Sequence, residues 1–469
     1  MWKNDGKKNR KKNGDRYLIS ELGTCPHFSC LHISSPHFSP HLLNPRFILA
    51  ALYILLIAAP LPGPQNPSFA EIVSVAKTPF LENKLKAMGL DLLADWGGKI
   101  FIVARPEDLV ALGQAKILFA VETAKFPPFA QSIAPPAGGG INGAYHSYRE
   151  LETDMLALQQ KYPGLAKVFD IGDSLEKRNL YALKISANVA LDEDEAEVLF
   201  LGCHHAREWI SVEVPFLFGK YLLENYASDP EVKGMVDRSE VWIIPLVNPD
   251  GLEYTIHVYR YWRKNRRDNK DGTYGVDLNR NYGYKWGVSN NGSSPDPTSE
   301  IYRGPQAFSE PEIVAIRDFF LKKNFRGMIS YHSFSQAIMY PWGYTVQAPD
   351  KEPLLRDIAA GMAALIQEVN GRSYSFGPAG QTLYLTNGDT VDWTFGTSGI
   401  PSYTIELPPV DEMGGGFFNS EADIQSIFQE NLPAMLLFVR RFIQDSTPQG
   451  FAIRPDRPDK KFDKSARIR

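Results

Sequence analysis

Short apolar runs alternate with longer amphipathic stretches over most of the chain. Four of the apolar runs are predicted to be buried strands, namely residues 198–201, 241–247, 328–331 and 402–405. Helical periodicity predicts four long helices, at residues 212–226, 310–323, 353–370 and 422–442. Because strands that alternate with helices are typical of an α/β fold, we expect that fold class here.

A second, smaller pattern precedes this region. Strands are predicted at residues 72–75, 90–96, 99–103 and 117–121, and helices at residues 79–88 and 106–112. The order βαββαβ is that of a ferredoxin-like domain. We therefore expect residues 71–124 to form a small N-terminal domain of their own.

The beginning of the chain has a different pattern. Residues 47–59 are wholly apolar, but 13 residues are few for a membrane span, which needs about 20. Such a run is typical of a secretory signal peptide, and the small residues Ser68 and Ala70 suit cleavage. We interpret residues 1–70 as a leader, with a buried helix of a folded domain as the alternative. The mature protein would then be secreted, periplasmic or extracellular, with no stable membrane span.

Composition suggests the remaining boundaries. Residues 125–143 are rich in Pro, Ala and Gly, which is typical of a linker. Residues 446–469 carry seven basic and three acidic residues and few apolar ones, so we expect a basic C-terminal tail. Residues 144–445 are left as the large domain.

Charge and cysteine content exclude some classes of function. The net charge is −4, so no overall positive field indicates binding to nucleic acid. Of three cysteines, only Cys203 lies beyond the predicted leader, so the mature chain would have no intramolecular disulfide. We expect Cys203 to be a small buried residue at a strand end.

Candidate metal ligands follow two of the predicted strands. His205 and Glu208 come just after the strand at 198–201, and His332 follows the strand at 328–331. Two histidines and one carboxylate can hold a zinc ion with its fourth position open, which is a catalytic arrangement. Imidazole ligands favour zinc over magnesium or calcium. His204 competes with His205 at this point.

Seven separated motifs in one order extend this pattern. They are HARE at 205–208, NPDG at 248–251, YWRK at 261–264, GVDLNRN at 275–281, HS at 332–333, DW at 392–393 and TIE at 404–406. With them the sequence resembles the zinc metallocarboxypeptidases of the carboxypeptidase A/B/T type, as a bacterial secreted member. The resemblance runs from about residue 145 to 442. It implies a mixed-sheet α/β/α catalytic domain at 144–445. We interpret the NPDG motif as a local turn without a functional role.

The resemblance also assigns the metal site and the chemistry. It selects His205 over His204, and so implies one Zn²⁺ held by His205, Glu208 and His332, the ligand set already known from carboxypeptidases. Asp277 matches the carboxylate that orients a zinc-bound histidine. Glu406 matches the general base that activates water, and Arg263 the group that stabilises the oxyanion.

Substrate contacts are implied in the same way. Asn279 and Arg280 match the pair that grips the terminal carboxylate of a peptide, and Tyr384 matches the phenol that closes over it. Arg207 matches a contact further along the cleft. Val391 matches the floor of the side-chain pocket, where an apolar residue favours hydrophobic or aromatic substrates. Asp389, two positions away, leaves acceptance of basic residues as the alternative.

The function implied is a secreted, zinc-dependent release of single residues from peptide or protein C-termini. The alternative is a zinc amidohydrolase of the same fold that acts on peptidoglycan stem peptides or N-acyl amino acids. Residues 71–124 would be an inhibitory prosegment or a domain that assists docking or folding. We expect a monomer.

Overall fold

The described part of the chain covers the predicted small N-terminal domain and the predicted large domain. The computed structural model describes residues 71–444, except for 79–80, 82–83, 86–87, 89, 97–98, 105, 122–141 and 411–414. The predicted leader at 1–70, the predicted tail at 446–469 and most of the predicted linker at 125–143 lie outside the described residues.

A four-stranded antiparallel sheet lies at the start of the described residues. Its elements are β1 (Glu71–Ala76), β2 (Asp91–Trp96), β3 (Lys99–Ala104), helix α1 (Pro106–Gln114) and β4 (Phe119–Val121). The strand order is β2-β3-β1-β4, so β3 lies between β1 and β2 as in the predicted βαββαβ arrangement. The helix predicted at 79–88 is only partly described: residues 81, 84 and 85 are helical, and residue 88 lies in a turn.

A mixed sheet of eight strands forms the centre of the larger part. Its strands are β5 (Ala166–Asp173), β6 (Asn179–Ile185), β7 (Ala196–Gly202), β8 (Ser239–Ile244), β9 (Phe325–Ser333), β10 (Ala337–Tyr340), β11 (Ser375–Pro378) and β12 (Ser402–Leu407). Their order in space is β11-β10-β12-β9-β7-β8-β6-β5. The four strands from β12 to β8 are parallel, whereas β6, β5 and β10 run antiparallel to neighbours. This mixed α/β sheet confirms the predicted fold class.

Helices cover both faces of this sheet. They are α2 (Tyr148–Lys161), α3 (Ile210–Asn225), α4 (Pro230–Val236), α5 (Pro249–His257), α6 (Pro311–Lys322), α7 (Glu352–Asn370), α8 (Ala379–Thr382), α9 (Thr390–Ser398) and α10 (Asp423–Gln444). The four long helices predicted from periodicity correspond to α3, α6, α7 and α10. No helix within the described residues combines the length and the apolar content needed to cross a membrane.

Alternation along the central strands builds two apolar cores. Phe200 of β7 points into the core shared with α3, α7 and α10, whereas the next residue, Leu201, points into the core shared with α6 and α9. In the first core the ring of Phe438 packs edge to face against Phe200 and Tyr403. Because full burial of one such side chain contributes about 1.5–3 kcal/mol, these cores stabilise the central strands.

The prediction of a plain turn at 248–251 is wrong. These residues begin helix α5, with Asn248 as the N-cap and Pro249 in the first turn. The Asn248 side chain accepts a hydrogen bond from Gly251 N (3.0 Å) and donates to His204 O (3.1 Å) and Lys264 O (3.2 Å). The Pro-Asp-Gly sequence suits a helix start as well as a turn, and here it also fixes the loop after β7.

The carboxyl ends of the parallel strands meet at one edge of the sheet. At this edge Glu406 of β12 lies directly beside His332 of β9, and Gly202 of β7 lies beside Tyr331. A Cβ atom on Gly202 would stand 2.1 Å from Ser211 O, so the chain needs glycine there for β7 to end against α3. The next residues, 203–209, form a tight loop across this edge, with Cys203 buried as predicted.

Candidate metal centre and active site

Three metal-binding side chains converge at this edge. His205 Nδ1 lies 2.8 Å from Glu208 Oε1, and His332 Nδ1 lies 3.0 Å from Glu208 Oε2. The two Nδ1 atoms are only 3.1 Å apart, and all three residues are buried. Two ring nitrogens and a carboxylate directed at one point form the donor set that zinc prefers, so these residues fit the ion.

A second group of carboxylates has a different explanation. Asp192, Glu197 and Glu240 also come close enough together to hold a cation. However, Lys323 Nζ lies within 3.4–3.7 Å of an oxygen of each, and Lys184 Nζ lies 2.6 Å from Glu240 Oε1, so two ammonium groups already offset most of their charge. Within the described residues, the group at the carboxyl edge is therefore the better metal site.

Charge around the metal-binding group keeps its carboxylates ionised. Burial alone would raise the pKa of Glu208, but His205 and His332 lower it well below its usual range. Burial likewise opposes ionisation of Asp277, yet Arg263 and His205 hold the pKa of that carboxyl well below its usual range. Both groups remain negative at neutral pH and can stabilise a cation.

Asp277 fixes how His205 is turned. Its Oδ1 lies 3.2 Å from His205 Nε2, and its Oδ2 accepts hydrogen bonds from Arg263 Nη2 (2.9 Å) and Nε (3.1 Å). An ionised carboxylate can only accept, so His205 carries its proton on Nε2. The lone pair of Nδ1 is then directed toward Glu208 and His332, where a metal would be held.

Glu406 is the isolated acid of the site. It is 8% exposed, and its Oε2 atom has no hydrogen-bond partner among the described residues. Burial raises its pKa well above the usual range, and Glu208 adds to the effect, while Arg263 and Arg280 oppose it. A carboxylate with a raised pKa and a free oxygen can take up a proton from a nearby water.

His204 faces away from the metal-binding group. Its Nε2 lies 2.9 Å from Tyr282 Oη and 3.0 Å from Thr390 Oγ, and its Nδ1 lies 3.2 Å from Ser330 Oγ. Its ring lies parallel to that of His332, with centroids 5.5 Å apart. Burial lowers the pKa of His204 well below its usual range, so the ring is neutral. It is a hydrogen-bonded neighbour of the ligands.

The predicted carboxylate-binding residues lie on a short 3₁₀ turn, Leu278–Arg280. Arg280 is buried and donates from Nε to Gly292 O (2.8 Å) and from Nη1 to Asn279 O (2.7 Å). Asn279 Oδ1 accepts hydrogen bonds from Thr390 N (2.9 Å) and Thr390 Oγ (2.7 Å). Both side chains are thus held in place by the protein itself.

The other predicted substrate contacts differ in their surroundings. Tyr384 is 45% exposed. Arg207 is buried, with its guanidinium 4.0 Å from the centre of the Phe417 ring. This cation–π contact orients Arg207 at the edge of the site.

The two candidate specificity residues lie at the start of α9. Asp389 is the N-cap: its Oδ1 accepts from Asp392 N (2.8 Å), and its Oδ2 accepts from Thr386 Oγ (2.6 Å). Val391 is 4% exposed and belongs to the second apolar core. Asp389 therefore already has partners for both carboxylate oxygens.

Three polar residues around His204 were not found from the sequence. Tyr282, Ser330 and Thr390 are fully buried and hydrogen-bond to it. The period of a strand could have revealed Ser330, because it lies two residues before His332 and so faces the same side of the sheet. Nothing comparable marks Thr390 or the hydroxyl of Tyr282.

Comparison with known proteins identifies the family. A family model described as zinc carboxypeptidase (Peptidase_M14) matches residues 151–434. A zinc carboxypeptidase of Saccharothrix mutabilis subsp. capreolus is 32% identical over 422 residues, which cover 84% of this chain and 96% of that protein. Carboxypeptidase B of Astacus astacus is 33% identical over 308 residues, 65% of this chain and 98% of that one.

A solved structure shows the same fold. Carboxypeptidase A from Helicoverpa armigera superposes with a TM-score of 0.69 at 24% identity, over 81% of this chain and 99% of its own. These matches confirm the resemblance based on the seven motifs, and with it the zinc cofactor. The chain belongs to the zinc carboxypeptidase family and is a metallocarboxypeptidase.

Proposed function

We propose that this protein releases single hydrophobic or aromatic residues from the C-termini of peptides, outside the cytoplasm. The observation that carries the proposal is the convergence of His205, Glu208 and His332 beside the unpartnered oxygen of Glu406. Arg263, which supports Asp277, lies at the same edge of the sheet. This is the arrangement needed for hydrolysis of an amide bond by water.

We assign the chemical steps to five residues. Zinc, held by His205, Glu208 and His332, would polarise the scissile carbonyl and acidify the attacking water. Glu406 would take the proton from that water and pass it to the leaving amine, because its buried carboxyl has a raised pKa and a free oxygen. Arg263 would donate to the oxyanion, a kind of contact worth about 2.7–4 kcal/mol in the barrier.

We further propose that recognition of a free carboxylate makes the enzyme an exopeptidase. Arg280 and Asn279 are held in place before substrate arrives, so they lose little entropy on binding. Arg280 suits a carboxylate because its planar guanidinium can donate two parallel hydrogen bonds. Tyr384, being exposed, would close over the bound end, and Arg207 would contact the peptide further out.

The preference for apolar residues rests on the start of α9. Val391 offers no charge, and both oxygens of Asp389 are engaged within the chain. The helix cap and the bond to Thr386 reduce the negative potential that Asp389 can offer to a basic side chain. Hydrophobic and aromatic C-terminal residues are therefore favoured over lysine and arginine.

The outlying segments complete the proposal. Residues 144–445 would be the catalytic domain, and 71–124, which has a sheet and core of its own, a prosegment that restrains it. The apolar run at 47–59 supports export, with the mature enzyme acting as a monomer.

Mass spectrometry of a defined peptide mixture tests this function. The full chain and a chain without residues 1–140 would be incubated with zinc, and in parallel with a chelator. We expect stepwise loss of single C-terminal residues, fastest after Phe or Leu, none from amidated peptides and none with chelator. If folded, zinc-loaded protein leaves the peptides intact, the result would instead favour the alternative substrates, peptidoglycan stem peptides or N-acyl amino acids.

A further inference from the structure

A chain of buried polar groups links the metal site to the carboxylate-binding site. Ser330 Oγ lies 3.1 Å from His332 Nε2 and 3.2 Å from His204 Nδ1. On the other side of the His204 ring, Thr390 Oγ lies 3.0 Å from Nε2 and 2.7 Å from Asn279 Oδ1. His204, Ser330 and Thr390 are fully buried, so water does not compete for these hydrogen bonds.

The metal-binding nitrogen of His332 determines which atoms donate in the first two hydrogen bonds of this chain. His332 turns Nδ1 toward Glu208 and His205. A neutral imidazole that binds a metal through Nδ1 must carry its proton on Nε2. That Nε2–H then donates to Ser330 Oγ, and the Ser330 hydroxyl is left to donate to His204 Nδ1.

The same order of donors and acceptors continues from His204 to Asn279. Because His204 accepts at Nδ1, its proton lies on Nε2, which donates to Thr390 Oγ, with Tyr282 Oη close by at 2.9 Å. The Thr390 hydroxyl then donates to Asn279 Oδ1, which also accepts the Thr390 N–H. Both acceptor sites of that oxygen are used.

The consequence for Asn279 is a fixed orientation of its amide. With Oδ1 held by Thr390, the Nδ2 donors are directed elsewhere. Nδ2 lies 3.5 Å from His332 Nε2, and since that nitrogen is itself a donor, the amide hydrogens remain available to a ligand. An amide turned the other way would present its oxygen to a carboxylate and repel it.

We propose that His204 is a positioning residue that couples the His332 imidazole, through Ser330 and Thr390, to the orientation of the Asn279 amide. The metal-loaded site thereby presents N–H donors to the terminal carboxylate of the substrate. The inference rests on the proposed role of Asn279 in carboxylate binding.

Four variants of the full chain test it in zinc-loaded form. His204→Phe keeps a ring stacked on His332 but removes both nitrogens, and Thr390→Val removes only the hydroxyl link. Thr390→Ser keeps that hydroxyl and is the conservative control. Tyr282→Phe removes a side branch that the chain does not require.

Two measurements distinguish a lost orientation of the Asn279 amide from a general loss of folding or zinc binding. The first is KM and kcat for a peptide that ends in phenylalanine, together with the zinc content of each variant. The second, which needs no turnover, is the Kd of N-acetylphenylalanine by calorimetry, with N-acetylphenylalaninamide as the ligand that lacks the carboxylate.

We expect a loss of carboxylate recognition alone. His204→Phe and Thr390→Val should raise KM and the Kd of N-acetylphenylalanine about ten-fold, the cost of one hydrogen bond to a charged group. Zinc content and binding of the amide should stay at wild-type values, and kcat should change far less than KM. Thr390→Ser and Tyr282→Phe should resemble the wild type.

Several outcomes would overturn the proposal. It fails if Thr390→Ser is as impaired as Thr390→Val, if both disruptive variants bind N-acetylphenylalanine normally, or if zinc content and kcat fall together with KM. If His204→Phe does not fold, the two Thr390 variants still decide. A wild-type protein that binds N-acetylphenylalanine but releases no residue contradicts the proposed function, while calorimetry still tests the coupling.

Discussion

Individual residues of the site show how burial and neighbouring charge give similar carboxyl groups different pKa values. Glu208, Asp277 and Glu406 are all buried carboxylates, yet positive or imidazole neighbours lower the pKa of the first two, whereas burial dominates for Glu406. Two acids are thereby kept as anions that can hold or orient ligands, whereas the third has a raised affinity for a proton.

The role of Glu406 can be tested with an isosteric change. Glu406→Gln should bind zinc normally but lower kcat by roughly 10²–10⁴-fold, because the amide cannot accept the proton. Measurement of kcat at zinc saturation, with the surface variant Glu224→Gln as a control, checks this. Wild-type turnover in Glu406→Gln would rule out its role as the base.

Asp277 should act through the metal. In Asp277→Asn the amide no longer demands a proton on His205 Nε2, so zinc affinity should fall about 10–100-fold. Competition with a chromogenic chelator measures this, and the exposed Asp268→Asn is a matched control. Unchanged affinity in Asp277→Asn would show that Asp277 does not orient the ligand.

At the scale of elements, single polar contacts connect helices that are distant from each other along the chain. His146, just before α2, donates from its backbone N–H to Glu213 Oε1 on α3 (2.8 Å), and its Nδ1 lies 2.7 Å from Glu213 Oε2. Burial alone would lower the pKa of His146, but Glu213 and Asp154 raise it to about 9. The charged ring therefore fastens α2 to α3.

This ion pair should make stability depend on pH. The folded pKa of about 9 exceeds the unfolded value of 6.5, so the stabilisation is complete below pH 6.5 and is lost as pH rises through 9. Between these values the free energy of unfolding should fall by up to about 3 kcal/mol more in the wild type than in His146→Gln.

Urea titrations at several pH values measure this difference. The variant His257→Gln, which changes a more exposed histidine paired with Glu253, should keep the wild-type slope. Equal slopes for wild type and His146→Gln would mean that the pair does not stabilise the fold.

The elements also show which strands can be predicted from sequence patterns alone. Strands β7, β8, β9 and β12 are buried on both faces, so their apolar runs were predicted correctly. β10 and β11 have only four residues each, and β11 contains Gly377 and Pro378, so no run marks them. The candidate metal ligands are marked by their motifs, whereas the partners of His204 become neighbours only through strand pairing and the packing of α9.

For the molecule as a whole, the metal site joins distant parts of the chain. His205 and Glu208 follow β7, His332 ends β9, and Glu406 lies on β12. An ion held by the first three would tie two central strands together at their carboxyl ends. Since these three side chains come together only in the folded protein, zinc bound by them should contribute to the stability of the fold.

Removal of zinc should therefore lower thermal stability. With free zinc at about 1,000 times its Kd, the expected contribution is about 4 kcal/mol, which chelation would remove. Differential scanning calorimetry with and without chelator measures the shift in Tm. His205→Ala should show no such shift, and an equal shift in that variant would place the stabilising metal elsewhere.

The pairing of Glu406 with His332 has a consequence for how the enzyme matures. In a strand, neighbouring side chains point to opposite faces, so a slip of one residue between β9 and β12 would bring Tyr331 or Ser333 beside Glu406. Such a misfolded form could collapse and still bury its apolar residues. It would lack the correctly placed acid, and so hydrolytic activity is a stricter report of correct folding in this protein than compactness or helix content.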